Sequence, residues 1–61
     1  MAGKFELYQD AQGKYRFRLK ASNGEIIATG EAYESKASAL GGIDSVRRHA
    51  ADAELVDQTD N

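Results

Sequence analysis

"KFELYQDAQGKYRFRLK", residues Lys4 to Lys20, alternates apolar and polar side chains on either side of a short polar break, and its register decides the fold. Lys4 to Asp10 puts Phe5 and Leu7 on one side and Lys4, Glu6 and Tyr8 on the other, the period of a strand with one wet face. Lys14 to Ala21 repeats the pattern, with Tyr15, Phe17 and Leu19 opposite Lys14, Arg16, Arg18 and Lys20. The intervening Asp10-Ala11-Gln12-Gly13-Lys14 fits a three-residue hairpin loop with Gly13 in the left-handed position. With Asp10 opposite Lys14, Leu7 faces Phe17, Phe5 faces Leu19, Glu6 meets Arg18 and Tyr8 meets Arg16. A slip of one residue sets Phe5 and Leu7 against Arg18 and Arg16 and is rejected.

A second reversal follows at Ser22-Asn23-Gly24, where Asn-Gly is a strong short turn signal, and leads into a third strand from Glu25 to about Ala32. Two registers stay open. A two-residue turn at Asn23-Gly24 sets Ile26 beside Ala21, and a three-residue loop ending in Gly24 sets Ile27 opposite Leu19. Either way the adjacent Ile26 and Ile27 are expected on opposite faces of the sheet, so one isoleucine leaves the core face.

Ser35 reads as an N-cap for a helix running to about His49 or Ala50, which Arg47, Arg48 and His49 end favourably against the helix dipole. Ala39, Leu40, Ile43, Val46 and Ala50 form one stripe suited to covering Phe5, Leu7, Phe17 and Leu19. Gly41-Gly42 in mid-helix conflicts with propensity and implies a close approach there, by the sheet or by a second subunit. Ala53 to Val56, "AELV", is a possible short C-terminal strand, and residues 57–61 a polar tail expected to fray.

Sixty-one residues make a single domain, 1–61, near the lower limit at which one hydrophobic core outweighs chain entropy unaided. There is no cysteine to staple it, and His49 is the only histidine, so self-association is the expected stabiliser. The net charge of −2, from 8 basic and 10 acidic residues, gives no global pull toward nucleic acid or anionic lipid. No apolar run approaches the ~20 residues that span a bilayer and no secretory pattern is visible, so no membrane association and a cytoplasmic location are expected.

The alternating strip "KYRFRLK" is the strongest functional signal. Nucleic-acid binding wants aromatics and cations on one surface, whereas alternation sends Tyr15 and Phe17 to the face opposite Arg16 and Arg18. The half-buried strand is therefore the preferred reading. Its outer face carries Tyr8, Arg16, Arg18 and either Ile26 or Ile27, a mixture suited to a protein interface. Nucleic acid bound on Lys14, Arg16, Arg18 and Lys20 is the runner-up. An enzyme with a site between subunits comes third, because His49, Ser35, Ser38 and Ser45 are explained as helix-end, cap and surface residues, and Glu31 and Glu34 as loop charges. No catalytic, metal or cofactor site is expected.

The pieces "FELY", "YRFRLKASNGEII", "EAYESKASA" and "GIDSV", in this order and spacing, resemble the YegP-like family of small bacterial and archaeal proteins, over nearly the whole chain. The resemblance implies a β-β-β-α unit, often present twice in one chain, with single-unit members pairing as homodimers. It brings no reaction, cofactor or ligand, and no functional residue. The family usually has asparagine where this chain has Gly41, which marks Gly42 as the family feature and Gly41 as local variation. The combined expectation is an α+β fold, a three-stranded antiparallel meander with one helix on one face, acting as a homodimeric interaction module.

Overall fold

A computed structural model describes residues 3–59. Strand β1 (Lys4–Gln9), β2 (Tyr15–Lys20) and β3 (Ile26–Thr29) form one antiparallel sheet in the order β1-β2-β3, followed by helix α1 (Lys36–Ala50). The α+β meander expected from the sequence is the architecture. Among the described residues no helix is long and apolar enough to cross a membrane.

The first hairpin has the register deduced from its turn: Phe5 pairs with Leu19, Glu6 with Arg18, Leu7 with Phe17 and Tyr8 with Arg16. The Asp10 amide donates to the Lys14 carbonyl at 2.9 Å and the Gly13 amide to the Asp10 carbonyl at 3.0 Å, with Gly13 at φ 80°. The second loop repeats this closure. The Ala21 amide donates to Glu25 at 2.8 Å, the Gly24 amide to Ala21 at 2.9 Å, and Gly24 has φ 90°. Of the two registers left open, the three-residue loop is therefore the one formed.

That loop does not, however, set Ile27 opposite Leu19. Lys20 pairs with Ile26 and Leu19 with Ala28, so Ile27 is an extra residue, a bulge. The cause lies further along the strand. Without the bulge Thr29 would fall opposite Phe17, where Gly30 now sits with its amide donating to the Phe17 carbonyl at 2.9 Å. A Cβ on Gly30 would lie 2.8 Å from Cδ2 of the Phe17 ring, so only glycine fits. β3 is accordingly shorter than the expected 25–32, and the chain rejoins β2 only at Tyr33, which exchanges amide and carbonyl bonds of 2.7 and 2.8 Å with Tyr15.

Phe17 is the centre of the core. Tyr33 stacks on it at 6.2 Å between centroids, Phe5 meets it edge-on at 6.1 Å, and Ala39 and Ile43 of α1 close over it. Ser35 caps α1 by accepting from the Ser38 amide at 3.1 Å. The mid-helix glycines divide as the family resemblance implies. A Cβ on Gly42 would lie 2.9 Å from Tyr33 Cζ and 3.2 Å from Phe17 Cε2, while one on Gly41 would meet nothing within 4 Å. The close approach is by the chain's own aromatic residues.

Coverage of the sheet is narrower than the helical stripe implied. α1 packs on β2, and among the described residues only Phe17, Ala39 and Ile43 are buried. Phe5, Leu7 and Leu19 remain half-buried, and Leu40 and Ala50 of the expected stripe are exposed. The possible strand at 53–56 is not paired within the single chain. Of the tail expected to fray, residues 57–59 carry a local turn in which Asp57 accepts from Thr59, and residues 60 and 61 lie outside the described residues.

Candidate interaction surface

β alternation carries Lys4, Glu6 and Tyr8 of β1, Arg16, Arg18 and Lys20 of β2, and Ile26 and Thr29 of β3 to the outer face of the sheet. Four of the five residues singled out for this face are thus brought together. Tyr8 lies opposite Arg16, the Arg18 guanidinium sits 4.8 Å from the centre of the Tyr8 ring, and Ile26 lies opposite Lys20. Ile27, the fifth, is the bulge residue. Neither isoleucine is claimed by the core: Ile26 is 49 % exposed and Ile27 59 %.

Arg16, Arg18 and Lys20 of this face are engaged, whereas, among the described residues, Lys4 is not. Arg18 Nε donates to Glu6 Oε1 at 2.7 Å, Lys20 Nζ lies 3.4 Å from the same oxygen, and Arg16 reaches Asp10 at 3.6 Å. Lys14 pairs with Glu34 rather than with the Asp10 carboxylate, which accepts instead from the backbone amides of Lys14 and Gln12. The Arg18 hydrogen bond holds the Glu6 carboxyl below its ordinary range. Partial burial pushes the Asp10 carboxyl up, but the Lys14 and Gln12 amides, with Arg16 beside them, bring it below its ordinary range as well. Both groups stay ionised, and the outer face sets the Glu6 and Asp10 carboxylates among Lys4, Arg16, Arg18 and Lys20 with one aromatic ring.

The inner face holds a second surface, missed by the sequence reading. Because α1 packs chiefly on β2, the inner side of β1 is only partly covered, with Phe5 and Leu7 half-buried. Arg47 leans over Phe5 at 5.6 Å from its ring centre. At the other end of the helix, Lys36 lines an open cleft of about 340 Å³ together with Leu7, Gln9 and Tyr15, and with Tyr8 at its edge. Lys36, Leu40 and Arg47 are spaced along one flank of α1, with Leu40, 49 % exposed, between the two cations. The spacing was visible in the sequence, but which flank faces β1 depends on where the helix crosses the sheet.

The third element is the arm, residues 51–59. Leu55 is 90 % exposed and Val56 62 %, and the Asp57 carboxyl is held below its ordinary range by the Thr59 hydroxyl and amide. The chain measures 41 × 27 × 21 Å with a radius of gyration of 13.4 Å, against about 10 Å for a compact domain of this length. Charge separates along the same boundary. Every one of the eight Lys and Arg residues precedes residue 51, whereas Asp52, Glu54, Asp57 and Asp60 follow it with no cation among them.

His49 Nδ1 lies 2.8 Å from the Ser45 carbonyl of its own helix. Among the described residues no three His, Cys, Asp or Glu side chains cluster as a metal site.

Comparison with known proteins is consistent throughout the chain. The model of the domain of unknown function DUF1508 matches residues 10–57. A UPF0339 protein of Treponema denticola is 67 % identical over 57 residues, covering 93 % of this chain and 98 % of that protein. The UPF0339 protein YegP of Shigella flexneri is 54 % identical over 54 residues, and there the match covers 88 % of this chain but 49 % of the relative. The solution structure of a protein from Haloferax volcanii superposes with a TM-score of 0.81 at 47 % identity, covering 92 % of this chain and 95 % of that one.

Proposed function

This chain belongs to the YegP-like DUF1508 family, a domain of unknown function, and on that premise we propose that it acts in the cytoplasm as a homodimeric interaction module without catalytic activity of its own. The observation that carries this reading is surface area. The chain exposes 4998 Å², whereas a compact monomer of 6.6 kDa exposes about 3900 Å². The excess, roughly 1100 Å², is larger than the ~800 Å² each partner contributes to a standard interface. Much of it is apolar and concentrated: Ile26 and Ile27 at the bulged edge, Leu40 on the helix flank, Leu55 and Val56 on the arm. A core of three buried residues also leaves the single chain short of stabilising area.

The two sheet edges differ in a way that supports pairing through β1. β3 is short and bulged, which discourages strand addition, while β1 runs six regular residues with one edge unpaired. The outer face of Tyr8, Arg16, Arg18 and Ile26, with Ile27 at the bulged edge, remains a surface for a further protein. The alternative, nucleic-acid binding by Lys14, Arg16, Arg18 and Lys20, is weakened because each of these cations already lies against Glu34, Asp10 or Glu6.

Light scattering across a concentration series tests the reading. Twice 6.6 kDa, persisting at moderate salt, is the expected mass. A folded single-chain mass at high micromolar concentration overturns it. Addition of single-stranded oligonucleotide should leave the mass unchanged, whereas binding that weakens steeply with salt would favour the alternative.

A further inference from the structure

We infer that one corner of the outer sheet face, made by Lys4, Lys20, Ile26 and Ile27, docks an acidic segment of another protein, with a carboxylate between the two lysines and an aliphatic side chain on the isoleucines. The inference rests on the reading of the chain as an interaction module and assigns the class of its further partner. Three observations carry it. Lys4 pairs with Lys20 and Lys20 with Ile26, so the three side chains form one row across the sheet. The charge of that row is poorly compensated. Lys20 has only a 3.4 Å contact with the Glu6 oxygen that Arg18 holds at 2.7 Å, and Lys4 has no carboxylate within 4 Å among the described residues. Beside the lysines, Ile26 and Ile27 are the exposed large apolar residues of the described sheet.

Charge complementarity selects the occupant. The row is cationic on a chain of net charge −2, so the same corner of a second copy is repelled and an acidic surface is attracted. A nucleic acid fits less well. The Tyr8 ring already carries the Arg18 guanidinium at 4.8 Å, which occupies the platform a base would stack on, and Glu6 and Asp10 oppose a continuous run of phosphates. A protein segment can concentrate its charge at one point. Between the middle of the lysine pair and Ile26 lie one and a half strand spacings, about 7 Å, and residues two apart in an extended segment are also about 7 Å apart. The segment that fits crosses the strands with an acidic residue two positions from an aliphatic one, both side chains on the same side.

Titration followed by amide NMR shifts tests the assignment, with a capped Ser-Glu-Ser-Leu-Ser peptide as the probe at millimolar concentration. The expected shifts are centred on Lys4, Lys20, Ile26 and Ile27. Replacing the glutamate by glutamine, or moving the leucine next to it, should weaken binding at least about threefold, since each change removes one of the two paired contacts. On the protein side, Lys4→Gln and Ile26→Thr should have the same effect. Lys4 has no ion-pair partner to lose among the described residues, and threonine keeps strand propensity at an exposed site, so both variants retain the fold. No shift at this corner, shifts centred on α1 or the inner side of β1, or binding indifferent to the glutamate or to Lys4→Gln overturns the docking site. Tighter binding of hexathymidylate at the same residues overturns the protein partner in favour of nucleic acid. The result is independent of mass: a monomeric parent that still binds the peptide here removes the homodimer and keeps the site, and a dimer that does not bind it removes the site and keeps the homodimer.

Discussion

Gly41 and Gly42 are adjacent in α1 and chemically identical, yet the fold separates them. At Gly41 a methyl group meets open space, so Gly41→Ala recovers helix propensity and should raise unfolding stability by about 1 kcal/mol. At Gly42 the same methyl enters the contact with Tyr33 and Phe17. Tyr33 is pinned by its stack on Phe17 and its bridge to Tyr15, so Gly42→Ala should lower stability by about 1–2 kcal/mol despite the same gain in propensity. Urea denaturation of the two variants should give changes of opposite sign, and equal changes would remove the close-packing account. The sequence singled out the pair as a conflict but not the nature of the contact, because the rings that crowd Gly42 come from distant residues. Glu6 supplies a second prediction at this scale. Its carboxyl is held below the ordinary value of 4.5 by Arg18, so the stabilisation is complete above that value and is lost as the pH falls through the lower folded-state value. Glu6→Gln should flatten that part of the acid-denaturation profile, with no change in the slope near neutral pH.

Elements were legible where two independent signals coincide. In the first hairpin the glycine of the turn and the alternation of both strands demand the same register, and all six pairs follow from it. In the helix, the cap residue and the basic last turn bracket the observed span. Ser35→Ala should cost about 1 kcal/mol of stability and fray the first turn, seen as lost protection of the Ser38 amide in hydrogen exchange, while β1–β2 amides keep their order of protection. The third strand was only half legible. Its loop obeys local turn chemistry, but its frame is reset by the demand for glycine beside the Phe17 ring, a steric term that no window of Glu25 to Ala32 contains. Leu40 was misplaced for a related reason. Periodicity marks a broad apolar stripe on α1, but the line along which the helix lies over β2 decides which half of that stripe is covered.

At the scale of the molecule, the core among the described residues is centred on Phe17 with Ala39 and Ile43 beside it, and the proposed homodimer would make folding and association one linked equilibrium. The melting temperature should therefore rise with protein concentration for the parent chain. A concentration-independent melting temperature in the parent would separate folding from association. The outer-face residues were found in the sequence because alternation is local. The cleft and the standing arm were not, since both are defined by what the helix fails to cover. The order β1-β2-β3 has a kinetic consequence of its own. Every strand pairs with the one made immediately before it, so contacts in the sheet close loops of a few residues and the search for them is short. The meander can form while the chain is still being synthesised, and the helix docks next. In the proposed homodimer, encounter with a second chain would follow formation of the meander, and the slow phase of refolding should then be second order in protein concentration.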